Sequence, residues 1–284
     1  MAGALHPPLV AVRDAVARAL AEDLLPLGDL TASLLPVGTQ GEALFVARAK
    51  GVLAGSACAA ETFHQIDASV VADWHLDDGA ALEAGTVIAA VSGPLASILT
   101  AERTALNFLC HLSGVASLTN RFVAAAGGRA TVWDTRKTLP GLRALEKAAV
   151  RAGGGRNHRG NLSEMVLIKD NHLGGMTIAE AVARARDLWP ARTIEVECDR
   201  IEQVAQALEA GAGLVLLDNM APEEVGACVD LIGGRIPVEV SGGVTVETVG
   251  AYARAGADLI STSAITQSAP ALDIGLDLAL GAMG

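Results

Sequence analysis

The sequence predicts an α/β protein: an irregular or incomplete βα barrel with a smaller N-terminal α+β sandwich domain. Two observations carry this prediction. From Thr131 onward, short β-branched runs alternate with helical segments, and the last four runs begin about 21–22 residues apart. Before residue 100, short alternating runs separated by D-D-G and E-A-G are typical of antiparallel strands. Repeated βα units form a parallel sheet or barrel, so the two parts of the chain are expected to fold differently.

Composition limits the classes of function. The chain has 284 residues, which favours two domains, and a formal net charge of −11. Aromatic residues make up only 3%, so we expect neither a basic face nor a stacking platform for nucleic acid. No apolar run reaches the roughly 18–20 residues of a membrane span, and no secretory signal is visible. Four cysteines without a C-x-x-C pair predict reduced thiols. We therefore expect a cytoplasmic protein that binds neither nucleic acid nor membrane.

The N-terminal domain is predicted to span residues 1–113, with residues 272–284 as a candidate addition. Leu9–Leu24 has apolar residues at helical spacing, and Pro26 ends the helix. A long helical run covers residues 98–126, where Gly114 is a candidate break between two helices. That glycine marks the predicted boundary.

The barrel domain is predicted to span residues 114–271. Six β-branched runs are visible, which is fewer than a regular eightfold barrel needs. They are residues 131–134, 166–169, 193–198, 214–218, 237–241 and 259–263. Between them, T-I-A-E from Thr177 and D-R-I-E from Asp199 predict capping boxes, and Pro222 suits a first helical position. Gly211 and Gly256 are expected to end two of the helices.

The polar residues at the ends of the predicted strands indicate where the active site lies. Each run stops at or just before a charged or small polar group, and in a βα barrel these ends share one rim, where active sites are built. The residues concerned are Asp134, Arg136, Lys137, Lys169, Glu197, Asp218, Ser241, Gly242, Gly243 and Ser263. Structural ion pairing, for example between Lys169 and Glu197, is an alternative that can hold at the same time.

Positive charge is concentrated in one segment of this acidic chain. Eight of the 21 Lys and Arg residues fall between Asp134 and His172, around the Gly153-Gly154-Gly155 loop. They are Arg136, Lys137, Arg143, Lys147, Arg151, Arg156, Arg159 and Lys169. The pattern favours a local pocket for a small anion over a solvated basic helix with a flexible loop, because several cations end apolar runs.

The residue types divide into three chemical groups. Arginine forks and lysines suit a planar dianion, and the candidates are Arg136, Lys137, His158, Arg159 and Lys169. Glu197 and Asp218 are hard oxygen ligands on neighbouring strands and suit Mg²⁺. Ser241–Gly243, with Thr262–Ala264 (hence Ser263 and Ala264), predict a phosphate cup. No Ser–His–Asp or Cys–His nucleophile arrangement is evident in the sequence.

Three ordered motifs in this region resemble quinolinate phosphoribosyltransferase. They are D-T-R-K-T-x-P-G-L-R from Asp134, G-G-G-x-N-H-R from Gly153 and L-I-K-D-N-H ending at His172. The resemblance extends over most of the chain and is densest from Thr100 to Asp277. It implies transfer of the phosphoribosyl group of phosphoribosyl pyrophosphate (PRPP) to the nitrogen of quinolinate, with loss of pyrophosphate and CO₂.

The resemblance also implies roles for individual residues. Arg136, His158, Arg159 and Lys169 match positions that bind quinolinate, and Lys137 matches a lysine that faces PRPP or substrate. Glu197 and Asp218 match an acidic pair near ribose and Mg²⁺, and Ser241, Gly242 and Gly243 match the phosphate loop. Arg103 matches an arginine that the neighbouring subunit supplies, so a homodimer or a larger homo-oligomer is implied. Ser263 stands where the family usually has glycine, and Gly160-Asn161-Leu162 also departs from the usual residues.

Three rival functions stay open at this point. The first is the related phosphoribosyltransferase-like protein associated with molybdate transport, which lacks the full K-D-N-H segment that this chain keeps at Lys169–His172. The second is a Schiff-base aldolase that uses Lys137 or Lys169. The third is a module that binds anions without catalysis.

Overall fold

A computed structural model describes residues 5–278. The described residues form two compact units. The first contains residues 5–120, 138–154 and 265–278, and the second contains residues 121–137 and 155–264. None of the helices described is both long and apolar enough to cross a membrane.

The first unit is built on a four-stranded antiparallel sheet in the order β12-β1-β5-β3. A two-stranded ladder joins β2 to β4. The strands are β1 (Gln40–Ala47), β2 (Gly51–Val52), β3 (Val71–Trp74), β4 (Ala81–Leu82), β5 (Val87–Pro94) and β12 (Ile274–Leu278). Because β12 pairs with β1, the C-terminal residues as far as Leu278 belong to this sheet. The rest of the candidate addition, residues 279–284, lies outside the described residues.

Four helices complete the first unit, and two of them supply its core. They are α1 (Leu9–Leu24), α2 (Ser56–Ile66), α3 (Leu95–Ala126) and α4 (Arg143–Ala152). Phe45 of β1, Phe63 of α2 and Leu109 of α3 are fully or almost fully buried in one apolar cluster. The predicted helix at Leu9–Leu24 is confirmed, because its apolar positions recur at helical spacing on one buried face.

The predicted helix break at Gly114 is wrong. α3 is continuous from Leu95 to Ala126, and the units divide inside it, after Asn120. Compared with the predicted boundary, residues 114–120 and 138–154 therefore group with the N-terminal unit. Glycine is needed at position 114 for another reason: a Cβ there would lie 2.1 Å from the carbonyl oxygen of Pro270. A close approach of two backbones explains this glycine.

The second unit is a six-stranded, entirely parallel sheet in the order β6-β11-β10-β9-β8-β7. The strands are β6 (Thr131–Trp133), β7 (Val166–Ile168), β8 (Ile194–Cys198), β9 (Leu214–Asp218), β10 (Val238–Ser241) and β11 (Leu259–Ser261). The helices are α5 (Asp170–Leu173), α6 (Ile178–Leu188), α7 (Ile201–Glu209), α8 (Pro222–Ile232) and α9 (Val249–Arg254). All six predicted strands are confirmed, and their carboxyl ends lie at the same edge.

Arg156 forms an isolated parallel bridge with Trp133, the last residue of β6. It therefore extends the sheet at its β6 edge. The segment after Arg156 then leads to β7 at the opposite end of the strand order. This arrangement confirms the predicted irregular barrel of six strands.

Most of the predicted helix signals are confirmed. Thr177 and Glu180 form a reciprocal capping box, and Pro222 occupies the first turn of α8. Gly211 and Gly256 adopt left-handed backbone angles just after α7 and α9. The capping box predicted at Asp199 is wrong. α7 begins at Ile201 with Arg200 as its N-cap, so Asp199 lies one residue too early.

The Gly114→Ala substitution should lower the free energy of unfolding by about 1–3 kcal/mol, because the methyl group would overlap the Pro270 carbonyl. Urea denaturation measures the change. Gly226→Ala is the matched control: it also lies within a helix, but the nearest atom to an added Cβ is 4.0 Å away. The control should raise stability by about 0.5–1 kcal/mol. A Gly114→Ala protein as stable as the wild type would contradict the close-approach explanation.

Candidate active site

A cavity of about 330 Å³ opens among the carboxyl ends of the parallel strands. Eight of the predicted site residues line it: Arg136, Lys137, His158, Arg159, Lys169, Glu197, Asp218 and Ser241. Thr135, Leu167, Leu216, Glu239 and Ser261 complete its wall. The volume suits a small molecule, and the wall combines a few apolar side chains with convergent charges.

A buried carboxylate holds the cationic segment against β6. Asp134 is fully buried, and it accepts hydrogen bonds from Asn157 Nδ2 at 2.6 Å and from the backbone N–H of His158 at 3.0 Å. The guanidinium group of Arg159 is also held, because its Nη1 donates to the carbonyl oxygen of Met165 at 3.0 Å. Two cavity-lining residues, His158 and Arg159, are therefore positioned by contacts within their own unit.

Both ring nitrogens of His158 have partners inside the protein. Nε2 lies 3.2 Å from Glu195 and 3.4 Å from Glu239, whose side chains are buried. Nδ1 accepts the backbone N–H of Arg159 at 2.7 Å. The imidazole also packs on Trp133, with 5.0 Å between ring centroids. His158 thus lines the cavity while its nitrogens organise the residues around it.

The carboxylates next to His158 change its acid–base behaviour. Burial lowers the pKa of His158, but hydrogen bonds and charges from Glu195 and Glu239 outweigh burial and raise the pKa to about 9. The Arg159 amide at Nδ1 opposes ring protonation, because an imidazolium has no lone pair there. The carboxylates dominate, since two buried charges outweigh one backbone hydrogen bond of about 1 kcal/mol net. Burial and the charge of Glu239 raise the pKa of Glu195 to about 7, against the contact with His158.

His158, Glu195 and Glu239 also have the spacing of a metal site, since one ligand atom from each lies within 4.8 Å of the others. The hydrogen bonds argue against metal binding there. In the neutral ring, Nδ1 accepts from Arg159, so the proton is on Nε2, and in the imidazolium Nε2 is protonated as well. Nε2 therefore has no lone pair for a metal ion in either state.

The acidic pair lies on adjacent strands. Glu197 forms an ion pair with Lys169, so the predicted structural pairing between them is confirmed. Glu197 of β8 and Glu239 of β10 both pair in register with Leu216 of β9. Asp218 pairs in register with Ser241, two residues further along the same strands. The cavity floor is therefore a regular grid in which alternate residues of neighbouring strands face the same space.

The turns after β10 and β11 contain the residues predicted to form a phosphate cup. Gly242 and Gly243 follow Ser241 with left-handed φ values of 94° and 62°. Ser263 and Ala264 follow β11, and the Ala264 N–H donates to Thr262 Oγ1 at 3.3 Å. Ser241 and Ser261 line the cavity, whereas Gly242, Gly243, Ser263 and Ala264 are not among the residues that line it.

Arg103 lies on α3 in the first unit. Its exposed side chain lines a separate cavity of about 210 Å³ together with Glu22, Asp23 and His111. The role implied for it across a subunit interface stays a prediction.

The sequence did not indicate the roles of Glu195, Glu239 and Asn219. It placed Asp134 at a strand end without indicating its function. A signal for the two glutamates was present: Glu195 precedes Glu197, and Glu239 precedes Ser241, by two residues, so each pair lies on one strand face. No pattern in the sequence indicated that Asn219 has an unusual backbone.

The fold and the site define an enzyme of the phosphoribosyltransferase class: a parallel βα barrel with cations, an acidic pair and glycine turns at the carboxyl rim. The quinolinate phosphoribosyl transferase C-terminal domain model matches residues 115–277, and the N-terminal domain model matches residues 29–113. The chain belongs to the quinolinate phosphoribosyltransferase family.

Individual relatives agree with this assignment. The chain is 40% identical over 277 residues to the carboxylating nicotinate-nucleotide pyrophosphorylase of Mycobacterium leprae, covering 94% of this chain and 97% of the relative. It is 39% identical to the chloroplastic enzyme of that name from Arabidopsis thaliana, with 95% and 84% covered. The solved structure of the nicotinate-nucleotide pyrophosphorylase from Francisella tularensis superposes with a TM-score of 0.91 at 38% identity, covering 95% and 97%.

The folded protein should lose stability between pH 6.5 and 9 through His158. Its pKa is raised from 6.5 to about 9, so the stabilisation is complete below pH 6.5 and is lost as the pH rises through 9. The change corresponds to about 3 kcal/mol. Glu195, whose pKa is raised from 4.5 to about 7, acts in the same direction at lower pH, between 4.5 and 7. Urea unfolding at several pH values should show a shallower decline in His158→Gln. The exposed control His64→Gln should keep the wild-type slope, and an equal slope in His158→Gln would contradict the assignment.

Proposed function

We propose that this protein transfers the phosphoribosyl group of PRPP to quinolinate and releases pyrophosphate and CO₂, which forms nicotinate mononucleotide for NAD biosynthesis. The observation that carries the proposal is the one cavity that brings together Arg136, Lys137, Arg159 and Lys169 with Glu197 and Asp218. Family membership supports the same reaction.

The cationic side of the cavity fits a pyridine dicarboxylate. Arg136 and Arg159 can each bind a carboxylate through two parallel N–H donors, and Lys137 adds a compact charge. Arg159 is already oriented by its bond to Met165. Fixed cations of this kind hold the ring in one pose, so the ring nitrogen can be directed at the anomeric carbon of PRPP.

The acidic side of the cavity fits the ribose and the leaving group. Glu197 and Asp218 place negative charge where positive charge develops on the ribose as pyrophosphate departs. Ser241 lines the cavity and can offer its hydroxyl to a phosphate. The left-handed glycine turn that follows it is proposed to supply backbone N–H groups. Lys169 forms an ion pair with Glu197, so its positive charge lies beside the acidic side of the cavity.

Decarboxylation then follows from the chemistry of the transferred product. The bond between C2 and its carboxyl carbon breaks, CO₂ leaves, and the electron pair stays at C2. The positive ring nitrogen next to C2 stabilises that pair until C2 takes up a proton. No organic cofactor is required as an electron sink.

A magnesium ion is proposed to be held by Glu197 and Asp218. The donor set fits a hard cation, because both ligands are carboxylates that line the cavity from adjacent strands. One feature limits the fit: Glu197 is already engaged by Lys169, so only part of its carboxylate can face a cation. When bound, Mg²⁺ would neutralise charge on the pyrophosphate.

We also propose a homodimer or larger homo-oligomer located in the cytoplasm. Five large apolar side chains fall within one 13-residue segment of the first unit, and each is at least 64% exposed. They are Leu25, Leu27, Leu30, Leu34 and Val37. Such a density of exposed apolar residues is typical of an interaction surface. All four cysteines are free thiols, which suits a reducing compartment.

The rival functions lose support from the site and the family assignment. An imine-forming lysine needs a free amine in an apolar pocket, whereas Lys169 is ion-paired with Glu197. The relatives with about 40% identity are named as carboxylating pyrophosphorylases, which argues against the molybdate-associated protein and a non-catalytic module.

Purified protein with quinolinate, PRPP and Mg²⁺ should form nicotinate mononucleotide and pyrophosphate in equal amounts, and a chelator should abolish both. Arg136→Ala should lower kcat/KM for quinolinate about a hundredfold, since the loss of charge-assisted hydrogen bonds costs roughly 3 kcal/mol. The matched control is Arg192→Ala, an exposed arginine of the same unit that does not line the cavity. Folded wild-type protein that forms neither product would refute the proposal.

Donation of Arg103 across an interface can be tested by mixing two inactive variants. If each site uses Arg136 of one subunit and Arg103 of its neighbour, co-expressed Arg103→Ala and Arg136→Ala should recover about a quarter of wild-type activity, because half of the dimers then contain one intact site. Arg136→Ala with Lys169→Ala is the control pair, since both residues line the same cavity. The control pair should recover nothing. No recovery in the first pair would contradict donation in trans.

A further inference from the structure

Asn219 has a backbone conformation found at no other non-glycine position among residues 5–278. Its φ is 57°, in the left-handed region, and it directly follows Asp218 at the end of β9. Asparagine tolerates this conformation better than most residues, yet the conformation is still uncommon outside glycine. Strained backbone of this kind persists where the surrounding contacts hold it, and it concentrates at functional sites.

Every polar group of Asn219 other than its carbonyl faces one of two predicted subsites. Its side-chain Nδ2 donates to Asp218 Oδ2 at 2.8 Å, and its backbone N–H donates to the carbonyl oxygen of Ser241 at 3.0 Å. Its side-chain Oδ1 packs against Gly242, where an added Cβ would lie only 2.2 Å from that oxygen. The same Cβ would lie 2.8 Å from the Asn219 backbone nitrogen, so only glycine fits at position 242.

We propose that Asn219 is a positioning residue that holds the Asp218 carboxylate and the Ser241–Gly243 turn in one fixed arrangement, and thereby determines affinity for PRPP. The inference rests on the proposed function, because it concerns the ribose-phosphate end of that site. One oxygen of Asp218 accepts from the amide, and Asp218 lines the cavity, so its other oxygen remains available to a ligand there. The turn that supplies backbone N–H groups is held in register by the bond to Ser241.

The effect should be specific to one substrate. The cations proposed for quinolinate, Arg136, Lys137 and Arg159, lie on other segments, and the positions of His158 and Arg159 depend on Asp134 and Met165. Asn219 touches only the acidic and phosphate parts of the site. Loss of its amide should therefore weaken PRPP binding and leave quinolinate binding nearly unchanged. A residue that only stabilised the fold would weaken both.

Three substitutions separate the backbone of Asn219 from its side chain. Asn219→Gly accepts the left-handed φ without strain but removes the amide. Asn219→Asp keeps the size and the tolerance for this φ, but sets a second carboxylate against Asp218. Asn219→Ala removes the amide and adds backbone strain. Comparison of the glycine and alanine variants, which both lack the amide, isolates the strain. Comparison of the glycine and wild-type proteins shows the effect of losing the amide without any added strain.

The experiment measures KM for PRPP at saturating quinolinate and Mg²⁺, and KM for quinolinate at saturating PRPP and Mg²⁺. We expect the PRPP constant to rise about tenfold in Asn219→Gly, as for loss of a hydrogen bond to a charged group, and further in Asn219→Asp. The quinolinate constant should stay within about threefold of the wild type in both. If the aspartate variant does not fold, the glycine variant alone decides, because it imposes no backbone strain.

Two results would overturn the inference while the proposed function stands: an Asn219→Gly enzyme with the wild-type KM for PRPP, or one in which both constants rise equally. A wild-type protein that forms no nicotinate mononucleotide would refute the proposed function itself, and the inference with it. The two failures are therefore distinguishable in the same set of assays.

Discussion

The site depends on buried carboxylates that stand directly behind its cations. Asp134, Glu195 and Glu239 are all fully buried, and each contacts the backbone or ring of His158. An ionised carboxylate is costly to bury without a partner. Asp134 accepts two hydrogen bonds, whereas Glu195 and Glu239 share the ring of His158 as their ion-pair partner. Among the described residues, one oxygen of Glu195 and both oxygens of Glu239 accept no hydrogen bond. These carboxylates also hold His158 in place between them, next to Arg159, whose positive charge is repelled by that of Arg136. The cavity can therefore present concentrated positive charge inside an acidic protein.

The parallel sheet supplies the second constraint, which is spacing. Because all six strands point the same way, their last residues lie side by side, and alternate positions face the cavity. Glu197 and Glu239 therefore flank Leu216 at one level, and Asp218 lies beside Ser241 at the next. Asn219 donates hydrogen bonds to Asp218 and to the backbone of Ser241, which precedes the glycine turn. The cationic part and the part proposed to bind phosphate are thus positioned by separate contacts, which suits a site for two different substrates.

The features set by local pattern were predictable from the sequence. Six strands, the Thr177 capping box and the charged strand ends all depend on residues close together in the chain. The errors arose where distant segments meet. Gly114 reads as a helix break until Pro270 is placed against it, and the roles of Glu195 and Glu239 become evident only when His158 lies between them. The Asp199 capping box failed because a single extended residue, Arg200, shifted the start of α7.

The most direct test of the account follows the carboxyl group at C2 of quinolinate. The wild-type protein would be given PRPP, Mg²⁺ and quinolinate labelled with ¹³C in that carboxyl group, and the label would be measured in CO₂ and in the nucleotide product. The account predicts labelled CO₂ in an amount equal to the pyrophosphate released, with no label in nicotinate mononucleotide. Release of pyrophosphate with the label retained in the nucleotide, or labelled CO₂ without pyrophosphate, would contradict it.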